Sequence, residues 1–132
     1  MELVSRLDHW FADKLRAVRC REDTRAYIVG VLSRQLDDMS DESIVLSFND
    51  ASMNGDFATF QRIGDWSLWA SSFAPHPQKS QRELVEKFGR LSYYACHRIM
   101  HGKWLVYEEL ADELPAIIYD VRYNVNSLRI KP

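Results

Sequence analysis

Apolar residues recur in steps of three and four along most of this chain, the spacing of one buried stripe on an α-helix. Leu3, Val4, Leu7, Trp10, Phe11, Leu15 and Val18 predict a helix over residues 3–19. Tyr27, Ile28, Val31, Leu32 and Leu36 predict a second, with Asp23 as its N-cap and Gly30 at a close helix crossing. The cluster Ile44, Val45, Leu46 and Phe48 is β-branched enough for a strand. It is read as helix because no second strand is present to pair with it. Asn54 and Gly55 then form a stop.

Phe57, Phe60, Ile63, Trp66, Leu68 and Trp69 predict a helix apolar around much of its surface, and therefore central, ended by Pro75-His76-Pro77. The longest helix is expected over residues 80–101, carrying Leu84, Val85, Phe88, Leu91, Tyr94, Cys96 and Ile99. Its small residues Gly89, Ser92 and Cys96 leave room for a neighbouring helix. Gly102 ends it, residues 104–114 make a short helix, and Pro115 opens the last one at an N1-like position. The tail over 124–132 reads as extended or frayed. The expected architecture is one all-α domain over residues 1–132, a compact bundle of about six or seven helices.

Composition changes this picture little. With 46% apolar residues the chain can build a real core. A net charge of −2 argues against a dedicated nucleic-acid binder. Charge is unevenly spread, since residues 39–66 hold five acids and one base. Two cysteines, Cys20 and Cys96, with no CxxC pair, fit a thiol-containing cytoplasmic protein. No apolar run approaches the ~20 residues that span a bilayer, and Glu2 and the charges after it are unlike a signal peptide.

Five constellations carry candidate chemistry. His97 and His101, four apart, share one side of a helix in the geometry a metal needs. Arg98 stands where an HExxH motif has its Glu, and no third ligand is evident, so neither a metal nor a cofactor is expected. Cys20 lies between Arg19 and Arg21, which would lower its pKa, but neither thiol sits in a nucleophile motif. Glu108 with Asp112, and Glu109 with Glu113, pair at helical spacing and read as a solvated acidic face. Lys14, Arg16, Arg19, Arg21 and Arg25 form a basic patch diluted by Asp13, Glu22 and Asp23. Trp66, Trp69, Trp104 and Tyr107 are mostly core by type, and any that lie exposed together would anchor a partner.

The segment Arg62-Ile63-Gly64-Asp65-Trp66-Ser67-Leu68-Trp69, followed by Phe88-Gly89-Arg90-Leu91-Ser92-Tyr93-Tyr94, resembles a loosely patterned family of uncharacterised bacterial helical proteins. Those have a Leu-Gly-Asp-x-x-Leu-Phe helix followed by a Gly-Arg-x-x-Tyr helix. This chain has Trp69 for the usual Phe and a shorter, Pro-rich loop. The resemblance implies an all-helical fold and a bacterial origin, and it carries no activity. In that frame Gly64 and Gly89 allow close helix contact, and Asp65 is a buried carboxylate bonded to a partner such as Arg90 or Tyr94.

The expected function is a protein-interaction or accessory subunit, with a protein partner or a homodimer, and no membrane. The alternative is a ligand-binding protein or enzyme with an inter-helix pocket built from Asp65, Arg90, Tyr94, His97 or His101. A nucleic-acid-associated factor is the third reading, and it requires the basic patch to merge with Arg62, Lys79 or Arg82.

Overall fold

The computed structural model describes residues 2–34 and 41–126. They form six α-helices: α1 (Glu2–Lys14), α2 (Glu22–Ser33), α3 (Asp41–Asn54), α4 (Phe57–Phe73), α5 (Lys79–Ile99) and α6 (Val106–Asn126). A 3-10 turn, Leu15–Ala17, extends α1. The domain is all-α, with no strand among the described residues. None of their helices is long and apolar enough to cross a membrane.

The elements end where local chemistry stops them. Asp56 caps α4, its carboxylate accepting from the Thr59 N–H and hydroxyl. Gly55 before it takes φ +63°, and the 44–48 cluster is helical as expected. His101 (φ +54°) and Gly102 (φ +70°) turn the chain out of α5. Apart from shifts of one or two residues at the ends of other helices, three boundaries differ from the sequence expectation. The N-cap of α2 is Arg21, and Asp23 lies inside the first turn, where it accepts from Thr24 N–H and pairs with Arg21. Residues 124–126 are helical, continuous with α6. Leu36 and its neighbours over 35–40, and the tail over 127–132, lie outside the described residues.

The third difference is Pro115, which sits inside one long helix and does not open a new one. A proline there leaves the carbonyl four residues back without its amide donor. That carbonyl belongs to Ala111, and Arg90 on α5 donates to it through Nε at 2.8 Å. The neighbouring helix thus satisfies the group that proline orphans, and α6 runs on. Arg90→Met should therefore lower stability by about 1–2 kcal/mol. In a Pro115→Ala background, where the alanine restores the amide, urea denaturation should show less than half that loss.

Helices α4 and α5 form the most extensive pair and α6 packs across both. Their closeness depends on two glycines. A Cβ on Gly64 would sit 2.7 Å from the Tyr93 ring, and one on Gly89 would sit 2.6 Å from Ser67 Cβ. Gly30, expected at a crossing, meets nothing within 4 Å. The main core gathers Leu15, Val18, Ile28, Leu68, Tyr107 and Leu114 among others. A smaller cluster of Ile44, Ile63, Trp66, Ala70 and Val85 joins α3, α4 and α5.

Candidate functional site

The apolar circumference of α4 carries one acid inward. Asp65 is 4% exposed, and its Oδ1 accepts from the hydroxyls of Tyr27 (2.7 Å) and Tyr93 (2.8 Å). Oδ2 accepts from Arg34 Nη2 at 3.1 Å, and the Arg34 side chain is half exposed. One carboxyl therefore links α2, α4 and α5. Burial pushes Asp65 above the usual carboxylate range, against the lowering effect of both tyrosines and of Arg34. Tyr27 and Tyr93 are held far above the usual phenol range, first by burial and then by the Asp65 charge. Both remain donors at neutral pH, and with hydrogen bonds to both oxygens the carboxyl cross-braces the three elements.

The partners expected for Asp65 are engaged elsewhere. Arg90 bonds Ala111 O, and Tyr94 donates to Asp112 on α6. His97 Nε2 lies 3.3 Å from Glu108, while His101, past the helix end and in the left-handed region, has left the face it was expected to share. Asp65, Arg90, Tyr94, His97 and His101 thus do not converge. No group of three or more metal-ligating side chains occurs among the described residues. The acidic pairs on α6 are divided too: Glu108 faces His97, Asp112 faces Tyr94, and Glu109 accepts from the Arg21 amide.

The basic patch is largely paired internally. Lys14 and Arg16 face Asp13, Arg19 faces Asp120, and Arg21 faces Asp23. Arg25 donates to the carbonyls of Val18 and Cys20. The expected lowering of the Cys20 pKa is reversed: burial raises it, Arg25 opposes, and Glu109, Asp120 and Asp23 add to the rise. Cys96 is fully buried and pushed up to about 12. A folded pKa above the unfolded one keeps its proton on in the fold, so the contribution to stability falls as pH rises from about 9 towards 12. At pH 8 iodoacetamide should leave Cys96 unmodified in the folded chain and label it in urea, as mass spectrometry reads directly.

The four aromatic candidates are mostly core, as their type predicts, and none of them lies exposed to anchor a partner. Trp66 and Tyr107 are buried, and Trp69 and Trp104 are half-buried and packed on the core. Tyr107 closes an aromatic cluster with Tyr27, Tyr93 and Trp104, its hydroxyl accepting from Gln61. The exposed aromatics are Trp10, Tyr119 (69%) and Tyr123 (67%), the last two stacked at 6.5 Å on the outer face of α6.

Where α4 ends and α5 begins, the chain leaves an open cleft of about 600 Å3. Trp66, Ala70, Val85 and Ile118 give its apolar surface. Lys79, Arg82, Glu83 and Glu86 from α5, His76 from the loop and Arg122 from α6 supply its charges.

No family model, curated protein or solved structure matches the chain.

Two features were missed in the sequence, the Tyr119–Tyr123 pair and the cleft. The first had a signal in the i,i+4 spacing of two tyrosines beside the buried Ile117, Ile118 and Val121. The second had none, since α6 contributes to its walls from a part of the sequence far from α4 and the start of α5.

Proposed function

We propose that the protein is an interaction module, an accessory subunit that docks a protein partner on the outer face of α6. One observation carries the reading. Two tyrosines four residues apart are stacked on each other and two-thirds exposed, on a helix whose opposite face is buried throughout. Exposed aromatics held by their own stacking lose little freedom on binding, and tyrosine is a favoured anchor of protein interfaces. Pro115 and Ala116, exposed one turn earlier, keep the adjoining surface low. The bacterial origin implied by the resemblance of residues 62–69 and 88–94 belongs to the same proposal.

The test is affinity capture of the tagged full chain from nuclease-treated lysate of its source organism. It is run beside Tyr119→Ala/Tyr123→Ala, with thermal midpoints measured for both. One near-stoichiometric partner, lost from the double variant at unchanged midpoint, is the expected result. A partner retained at full yield by the double variant removes α6 from the reading. Self-association that disappears in the double variant would make the partner a second copy.

A further inference from the structure

We infer that the cleft between α4, α5 and α6 binds a small amphipathic anion, an apolar body carrying one carboxylate- or phosphate-like head. The site is distinct from the α6 contact surface. Its volume of about 600 Å3 lies within the range of small-molecule sites. The floor is apolar and rigid, because Trp66, Ala70 and Val85 belong to the α3–α4–α5 core cluster. Trp66 is 6% exposed, and its indole N–H is buried beside the cleft without a protein partner.

The rim decides the head group. Lys79 is 3.8 Å from Glu83, so that pair is internally balanced. Arg82 is pinned by Nη1 to the carbonyls of His76 and Pro77, both at 2.8 Å, which holds its guanidinium at the rim. Arg122 stands on the α6 side with no ion-pair partner among the described residues. The first turn of α5 contains no acid, and Gln78 gives it no side-chain cap, so its amide dipoles add positive potential at the same end. Against these stands Glu86. The balance favours one anionic group between Arg82 and Arg122, with an apolar body lying over Trp66, Val85 and Ile118.

The experiment is isothermal titration calorimetry of the full chain with three probes: decanoate, decanol and inorganic phosphate. Decanoate should bind saturably at one site. Decanol, lacking the head, and phosphate, lacking the body, should each bind about tenfold more weakly or worse. Arg122→Met, an exposed substitution, should weaken decanoate about tenfold. Glu86→Gln should tighten it, and Ser71→Phe, at a position of α4 that also lines the cleft, should abolish it. Arg62→Met and Tyr119→Ala/Tyr123→Ala should bind decanoate like the parent chain, so this inference and the contact surface fail separately. No saturable decanoate binding, equal binding of decanol, or an unaffected Arg122→Met variant would each overturn the inference.

Discussion

Gly89→Ala should destabilise the protein by about 3 kcal/mol, a change of sign from what a helix-interior glycine ordinarily gives. Alanine is favoured over glycine in a helix by about 1 kcal/mol. Here the new methyl would stand 2.6 Å from Ser67 Cβ and 3.3 Å from Leu114 Cδ2. A Cβ cannot swing aside as the end of a long side chain can, so α4 and α5 must part along their most extensive contact. Overpacking of that kind costs about 1–3 kcal/mol and occasionally more. Ser67 also donates to Val85 O at 2.9 Å, a bond that separation of the helices would stretch. Gly30→Ala is the matched control: with nothing within 4 Å of its Cβ, it should gain about 0.5–1 kcal/mol. Urea denaturation followed by circular dichroism measures both. Ser67→Gly in the Gly89→Ala background should recover part of the loss, because it removes the atom that is struck.

Asp65→Ala is the second large effect. It leaves the Tyr27 and Tyr93 hydroxyls and the Arg34 guanidinium without their acceptor, and Tyr93 is fully buried. An orphaned buried hydroxyl costs about 1–3 kcal/mol, so the expected total is about 3–5 kcal/mol. The apolar route tests the cause. In a Tyr27→Phe/Tyr93→Phe background, Asp65→Ala should cost less than half as much, since no hydroxyl is left unpaired. Equal cost in both backgrounds would mean that the carboxylate acts through packing alone. Asp65 differs in its pH response from Asp56, whose hydrogen bonds with Thr59 hold its pKa below the usual range. The Asp56 contribution is lost as pH falls through that depressed value, whereas the Asp65 contribution grows as pH falls through its raised value.

The helices were legible because each buries one stripe, and the stripe is written in steps of three and four. Their stops were legible where backbone chemistry is local, as at Gly55, Pro75 and Gly102. Pro115 misled because its tolerance comes from Arg90, on another helix. The burial of Asp65 followed from its place on an almost wholly apolar helix, but its partners did not. Tyr27 and Arg34 reach it from α2 and its C-terminal end, and which face of α2 meets α4 is decided by packing. The aromatics behaved likewise: Trp66 and Tyr107 filled the centre, and the exposed pair was the one whose neighbours Ile117, Ile118 and Val121 had already filled the inner face of α6.

Whether the outer face of α6 is a contact surface is tested most directly by photocrosslinking. A photoreactive benzoyl-phenylalanine replaces Tyr119 in the full chain expressed in its source organism, with the same group at exposed Ala58 on α4 as control. One covalent adduct of defined mass from position 119 and none from position 58 is the expected result. No adduct at position 119, or the same adducts from both positions, would contradict a docking role for α6.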